Sequence, residues 1–570
     1  MATLVGIRIK NFKAVGEAPV ELKLAPITLL YGPNGAGKST ILHALHYARE
    51  ILERGNLDPD RTLAGGELDF GGYHNLVHAR AYREREIVLG FDLDLLDDGL
   101  PSFGIAGDER EDMRLVGRLK SLDVAEAVSL EITIGWSRER HIPYVRRWAV
   151  SLDGEPFAAL SATDPMNVAF SDLNTNHAFL NDWDDESLTA EDRASAASLD
   201  TILFGEEGSG ALGAYGTEGA LPILDQPLSL EVLYRGSADD FFAIPDDPEA
   251  AIRLREQAHQ AALAERAAIL YVSRVVVGAG QLLRDALRRL LYIGPLRTLP
   301  PRDFTPVRSP DRTRWASGLA AWDRLHSIEQ PRLFVEVSHW LTERLRSGFR
   351  LHHREVRESE RGDPLDVLIR RGPLLDDLEN IPEAYRGLRR RHEISLFDVR
   401  RNVPVQPHDV GIGISQLLPV VVAALDAREP FVAIEQPELH VHPALQTELG
   451  DLLVEAVGAI RLGNEQSPAE EDHWFTPDPA NPGYKTNSRI LLVETHSEHL
   501  ILRLLRRMRE LAEGTLKEGD RIVLPSLLGV YYAEPTDDGV RLHHLRVDES
   551  GEFIDRWPEG FFAERRKELF

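Results

Sequence analysis

The stretch PITLLYGPNGAGKST, residues 26–40, constrains this chain more than any other. Residues 27–31 form an apolar run of strand length, a glycine-rich turn follows, and STILHALHYAREIL then carries apolar residues at helical spacing. Between strand and helix, Gly32-Pro33-Asn34-Gly35-Ala36-Gly37-Lys38-Ser39 fits G-x-x-x-x-G-K-[ST]. Glycines let successive backbone N–H groups curl around a phosphate, and the helix start adds its partial positive charge. The spacing therefore assigns Asn34, Gly35, Ala36, Gly37, Lys38, Ser39 and Thr40 to a nucleotide-binding loop. Lys38 would reach the β- and γ-phosphates and the Ser39 hydroxyl would ligate Mg²⁺, with ATP as the expected nucleotide.

The partners of such a loop lie in the last third of the chain. In PFVAIEQPELHVHPALQTELGDLLVEAV a buried-looking strand ends at Glu435-Gln436 and turns into a helix. In SRILLVETHSEHLILRLLRRM another apolar strand ends at Glu494-Thr495-His496 ahead of a helix. Upstream, HDVGIGISQLLPVVVAAL is a glycine-rich turn opening a helix with Ser415-Gln416 at its start. Three such strand ends on the C-terminal edge of one parallel sheet would form a ligand crevice. Plainer readings exist for each. His440 and His442, near Glu435 and Glu438, could hold zinc, although no later cluster has metal-ligand spacing. His496 could cap its turn, and Ser415 could be the N-cap of a helix beginning at Gln416.

The chain has 570 residues, 43% hydrophobic and 28% charged, enough for two to four domains and a large soluble core. No apolar run reads as long enough to span a bilayer, and the opening MATLVGIRIKNFK lacks a secretion pattern, so no membrane partner is expected. Zero cysteines exclude disulfides, thiolate metal sites and thiol nucleophiles, and suit a cytoplasmic location. A net charge of −27 counts against coating DNA. Arginine clusters at Arg386, Arg389, Arg390 and Arg391, at Arg503, Arg506 and Arg507, and at Arg284, Arg288 and Arg289 could still contact nucleic acid, though salt-bridged helix faces are the plainer reading.

The split arrangement resembles the ATP-binding-cassette superfamily, closest to the soluble heads of structural-maintenance-of-chromosomes proteins, the RecF-like ATPases and the overcoming-lysogenisation-defect nucleases. GPNGAGKST is similar to the Walker A motif, VGIGISQ to the signature motif, FVAIEQPELHVHP to Walker B plus D-loop, and VETHSEHL to the switch-histidine motif. LDFGGYHNLVH occupies the Q-loop region but has no glutamine. The resemblance implies an α/β head with a mixed sheet and flanking helices, split by an inserted β/helical region. It also implies that Ser415 touches the γ-phosphate held by a second protomer, that Glu435 holds Mg²⁺ and that His496 is the switch. Gln436 then stands where the superfamily usually has the glutamate that polarises water. An amide orients water but accepts no proton at neutral pH, so slow or conditional hydrolysis is implied, with Glu438 a partial substitute. IRIKNFKAVGE, YIGPLRTLPPRDF and FIDRWPEGFFAERRKEL further resemble a bacterial group of stand-alone ATPases that includes the ATPase of the Septu anti-phage system, which works with a small HNH nuclease.

These motifs divide the chain into an N-terminal head part (1–95), an insertion (96–290), a C-terminal head part (291–535) and a Trp-Pro tail (536–570). In the insertion, AVSLEITIGW and VRRWAVSLDGEPFAAL read as strands with Asp153-Gly154 as a hairpin turn. An acidic low-hydrophobicity stretch and a glycine-rich segment, residues 204–220, follow. The helical end, interrupted by Gly278-Ala279-Gly280, reads as an antiparallel helical pair and lacks the heptads of a long coiled coil. No nuclease constellation is evident. Three functions remain open: an ATPase that sandwiches ATP between protomers, as a homodimer or higher oligomer, and controls a nuclease or other effector; a non-hydrolysing ATP sensor; and a chromosome or DNA-repair head.

Overall fold

The computed structural model describes residues 2–62, 68–95, 99–103, 119–180, 212–214, 216–228, 230–232, 248–302, 304–307, 313–326, 331–372, 381–459, 475–478, 481–487 and 489–558. The phosphate-loop strand, Ile27–Tyr31, lies inside a six-stranded sheet whose order is Leu290–Ile293, Phe431–Glu435, Ile490–Glu494, Ile27–Tyr31, Leu528–Thr536, Gly539–His544. The first five run parallel and the sixth returns antiparallel through a hairpin. Phe431–Glu435, Ile490–Glu494 and Ile27–Tyr31 are buried at every position. That explains their unbroken apolar runs, because a parallel sheet covered on both faces needs apolar residues on both. Alternate residues feed two cores: Leu30, Ala433 and Leu492 face one, while Leu29, Ile434 and Val493 face the other. The second core also takes in helices Ile412–Leu425, Pro443–Ala456 and Glu498–Ala512.

The first core is closed by a nine-stranded antiparallel sheet. It runs from Leu230–Val232 and Leu212–Ala214 through Asn167–Leu173, Glu155–Asp164, Ile142–Leu152, Ala127–Ser137 and Ile87–Asp94 to Thr3–Lys10 and Val20–Lys23. Asp153 and Gly154 form the expected hairpin turn, both at positive φ (47° and 83°), as a tight two-residue connection demands. The strands assigned to the insertion thus extend the sheet begun by Thr3–Lys10, and the boundary at 95/96 falls inside that sheet. Antiparallel hairpins add to an open edge and need no core of their own. The boundary at 535/536 likewise falls inside the Leu528–His544 hairpin.

Two expectations are corrected here. The helical pair is one helix, Pro248–Arg288, running through Gly278-Ala279-Gly280. These glycines answer to packing. A Cβ on Gly280 would lie 2.6 Å from the Trp148 ring, and one on Gly278 would lie 3.1 Å from Pro101. Trp148 Nε1 donates to the Val276 carbonyl at 2.9 Å, so the indole is laid against the helix just before the glycine. The 266–288 part of this helix is also long and apolar enough to cross a bilayer, contrary to the reading of the apolar runs, but it is 72% buried inside the protein, as the core helix of a globular fold is. As expected, no long coiled coil occurs among the described residues. The acidic stretch, residues 164–200, read as a surface insertion, begins instead with strand Asn167–Leu173, with Phe170, Phe179 and Leu180 buried; its part from 181, most of residues 204–220 and the tail from 559 lie outside the described residues. Trp557 is described and packs its edge against Tyr31 at 5.6 Å, tying the start of the tail to the phosphate-loop strand.

Candidate nucleotide site

The strand order brings the distant motifs to one edge. Phe431–Glu435 and Ile490–Glu494 pair in parallel with Glu435 opposite Glu494, and Ile490–Glu494 pairs with Ile27–Tyr31. Helix Lys38–Arg54 starts at Gly37, which sits at φ 91° and so close to Ala14 that a Cβ would be 2.6 Å away. Only glycine meets both demands. Asn34 and Gly35 are exposed, Ala36 and Thr40 are buried, and Thr40 N–H donates to the Gly37 carbonyl at 3.1 Å. Lys38 is 4% exposed. Its Nζ donates to the carbonyls of Gly32 (3.0 Å) and Pro33 (3.1 Å) and stands 3.8 Å from Glu494 Oε1. Ser39 Oγ donates to Glu494 Oε2 at 2.7 Å.

Glu435 accepts from the Tyr292 hydroxyl at 2.9 Å, and burial together with the neighbouring Glu494 pushes its carboxyl up to about 7. Burial also raises Glu494, against the hydrogen bond from Ser39 and the charge of Lys38. Two carboxylates in register on adjacent buried strands repel each other, and a cation between them relieves that repulsion. Ser39, Glu435 and Glu494 are all hard oxygen donors, so the residues fit Mg²⁺.

Gln436 follows at φ 44°, left-handed for a non-glycine residue. Its N–H donates to the Glu494 carbonyl at 2.8 Å, and its own carbonyl accepts from Arg297 at 3.1 Å. Arg297 is 4% exposed and also donates to the Glu435 carbonyl at 2.7 Å, while its backbone N–H donates to Gln416 Oε1 at 3.1 Å. This arginine, pushed down to about 10 by burial, fastens the signature helix to the end of the Walker B strand. The Gln436 side chain is half-buried and free of hydrogen bonds to the described residues.

Glu438 turns back toward the same edge, where its Oε1 accepts from the His496 N–H at 2.6 Å. Among the described residues, Glu438 Oε2 and His496 Nε2 are buried polar atoms without a hydrogen-bond partner. Burial raises Glu438 and lowers His496, the latter aided by Lys38, so His496 is neutral at neutral pH.

Ser415 departs from expectation. Helix Ile412–Leu425 starts at an exposed Gly411 cap, and Ser415 lies inside it, 2% exposed, donating to the Pro407 carbonyl at 2.8 Å. Its hydroxyl is thus held inward, whereas Gly411 and Ile412 are exposed. Ser415 is not a cap either. The caps elsewhere are His442, whose Nδ1 accepts from Ala444 N–H at 3.2 Å, and Ser497, whose Oγ accepts from Leu500 N–H at 3.1 Å. Ser497, rather than His496, therefore caps the helix that follows the strand. No group of three or more His, Cys, Asp or Glu side chains placed to hold a metal ion occurs among the described residues, and the Mg²⁺ set above has two carboxylates and one hydroxyl.

The sequence reading missed Glu494, Tyr292, Arg297 and Lys13. Lys13 Nζ lies 2.8 Å from His43 Nδ1 on the phosphate-loop helix, and its ammonium is lowered to about 8 by burial, against the pull of Glu435.

Two family models match the chain. One, described as an AAA domain, covers residues 7–49, and the other, described as "AAA domain, putative AbiEii toxin, Type IV TA system", covers 283–502. The site is similar to that of AAA-type ATPases. The first match holds the phosphate loop and Lys13. The second holds Tyr292, Arg297, Glu435–Glu438, Glu494 and His496. The AAA-type halves are therefore the two segments that the sheet joins, and ATP is the nucleotide such domains imply. Similar solved structures include the Smc head bound to the C-winged helix domain of ScpA (10% identity, 96% of this chain and 99% of that one, TM-score 0.37). Another is the SMC head domain from Thermotoga maritima (9% identity, 96% and 100%, TM-score 0.32). At these scores the architecture rests on the strand order. No curated protein matches the sequence.

Proposed function

We propose that this chain is an ATPase head that binds ATP with Mg²⁺, holds it between two protomers, hydrolyses it slowly and passes its nucleotide state to a partner effector, a nuclease, in bacterial anti-phage defence. The observation that carries the reading is a sheet edge that gathers the phosphate loop, Lys38, Ser39, Glu435 and Glu494, followed by an amide where the resemblance expects a base. The loop amides and Lys38 take the β- and γ-phosphates, Lys38 exchanging the Gly32 and Pro33 carbonyls for phosphate oxygens. Ser39, Glu435 and Glu494 would hold Mg²⁺, which when bound neutralises charge on the phosphate oxygens. Gln436, on a turn pinned by Arg297 and Glu494, orients water without taking its proton. Glu438, with one unpartnered carboxylate oxygen and a raised pKa, is the group left to accept it. Neutral His496 meets the γ-phosphate through its ring. The outward-facing start of the Ile412–Leu425 helix, with its partial positive charge, meets the nucleotide of a second protomer in place of Ser415. The toxin-associated description of the matched family supports an effector-controlling role.

Equilibrium ATP binding and steady-state phosphate release test this together, with Lys38→Ala as control. Tight binding with phosphate release slow but clearly above the control is expected. Failure to bind ATP overturns the reading, and release no faster than the control leaves only a sensor. Co-purification with the product of the adjacent gene tests the effector: recovery of a nuclease supports it, and its absence removes that part.

A further inference from the structure

Two of the arginine clusters that could have contacted phosphate are ion-paired helix faces, the plainer reading given above. Arg503 and Arg507 converge on Asp451 at 2.5 and 2.9 Å, Arg506 meets Glu510 at 2.7 Å, and Arg284 meets Asp225 at 2.7 Å. A different set is not. Arg80, Arg83 and Arg85, from the loop before strand Ile87–Asp94, have no carboxylate within 4.0 Å among the described residues. The same is true of Arg138 and Arg140, from the turn after strand Ala127–Ser137. The two loops sit side by side. Arg138 Nη2 donates to the Arg83 carbonyl at 3.4 Å, Tyr82 meets the Trp136 ring edge-on at 5.0 Å, and Arg146 pairs with Glu86 across them. Arg80, Arg83, Arg138 and Arg140 are exposed. Glu84 and Glu139 are the acids of these loops without an ion pair among the described residues, so the two loops carry five arginines against two free acids in a chain whose net charge is −27. Beside them is a platform of rings: exposed His74 stacks on Tyr82 at 3.9 Å and meets Trp136 at 5.0 Å, and the Arg83 guanidinium lies 5.5 Å from the Tyr82 centroid.

We infer that this tip binds single-stranded nucleic acid, with phosphates on Arg80, Arg83, Arg138 and Arg140 and a base stacked on the His74–Tyr82 rings. Clustered, unpaired guanidiniums repel one another until a polyanion supplies the missing charge, and a strand of phosphodiesters does so at several points at once. Aromatic rings next to cations favour an unstacked base, which a duplex does not present. The inference stands apart from the ATPase reading, since none of these side chains contacts Lys38, Ser39, Glu435 or Glu494, although His74 lies in the segment that resembles the Q-loop region.

The test is fluorescence anisotropy of a labelled oligo-dT of about 20 nucleotides with the full chain, across salt. Binding should weaken with salt at a log–log slope of about −2 to −3, the value for three to four phosphate contacts on a single strand. The Arg83→Glu/Arg138→Glu pair should weaken binding at least ten-fold and flatten that slope. His74→Ala should weaken it several-fold and leave the slope alone. Arg506→Glu, at an ion-paired surface arginine, should change nothing. If the double variant does not fold, Arg138→Ala carries the test with a two-fold or greater loss. No binding at low salt, unchanged binding by the arginine variants, or equal binding of a duplex overturns the inference.

Discussion

Gln436→Glu restores the missing base, and its effect can be worked from the surroundings. Glutamine and glutamate have the same shape and the same backbone demands, so the cost of φ 44° is unchanged. The N–H bond to Glu494 and the carbonyl bond from Arg297 persist, since both are backbone bonds on the Gln436 side. The new carboxylate joins Glu435, Glu438 and Glu494, which face Lys13, Lys38 and Arg297. Three acids against three cations become four against three, and the added charge raises the newcomer's own pKa toward neutrality. A general base contributes about 10²–10⁴ in rate. With part of the new group protonated at neutral pH, a gain of about 10² is expected, or about 2.7 kcal/mol in the barrier. The assay is steady-state phosphate release at saturating Mg-ATP from pH 6 to 9, beside equilibrium ATP binding. Turnover should rise with pH through the new group's pKa and then level. Unchanged turnover in a folded, ATP-binding variant refutes the assignment of Gln436 to the base position.

Other outcomes follow from the packing and charge described above. Glu438→Gln should lower residual phosphate release by ten-fold or more with ATP binding retained, because Gln keeps an oxygen for the His496 N–H but accepts no proton; equal release removes Glu438 from the chemistry. Gly280→Ala should destabilise by about 1–2 kcal/mol in thermal unfolding, because overpacking against Trp148 outweighs the roughly 1 kcal/mol that alanine adds to a helix. Asp451→Ala should cost about 1.5–3 kcal/mol near pH 7, because Arg503 and Arg507 lose the carboxylate they share while Arg507 keeps Glu510 and Asp520. Burial alone would raise Asp451, yet Arg507 and Arg503 outweigh it and hold the carboxyl below its ordinary 3.8. Its contribution is therefore complete above that value and lost as pH falls through the lower folded pKa, so urea midpoints of wild type and variant should converge in acid.

The nucleotide edge was legible because Phe431–Glu435 and Ile490–Glu494 are each an apolar run of four residues ending in Glu, a pattern that doubly covered parallel strands impose, and Ile27–Tyr31 is a mostly apolar run leading into the glycine loop. Glu494 was legible by the same rule, since it ends its strand as Glu435 does, but the motif that contains it, VETHSEHL, drew attention to His496. Tyr292, Arg297 and Lys13 lie in the segments YIGPLRTLPPRDF and IRIKNFKAVGE, which are legible only as a family resemblance, because their roles come from contacts made across the sheet. Ser415 was misplaced because glycine-rich helix starts leave the first residue ambiguous, and the structure settles it at Gly411. The glycines of the long helix were misread for a similar reason: glycine marks either a break or a close approach, and only the position of Trp148 tells them apart. The order of nine antiparallel strands is a matter of pairing partners, which alternation along one strand does not encode.

The central place of Ile27–Tyr31 has a consequence for how this protein is made. Both of its sheet neighbours, Ile490–Glu494 and Leu528–Thr536, belong to the end of the chain. At about 5–20 residues per second, a ribosome needs roughly 25–90 seconds between delivering the phosphate loop and delivering the strands that flank it. Through that interval a fully apolar strand has nothing in its own sheet to pair with. The antiparallel sheet, built largely of sequence neighbours, can form first and shelter the phosphate-loop helix on one side. A nascent or prematurely terminated chain would therefore carry the loop without a working site, and ATP binding would report that synthesis has reached the last strands.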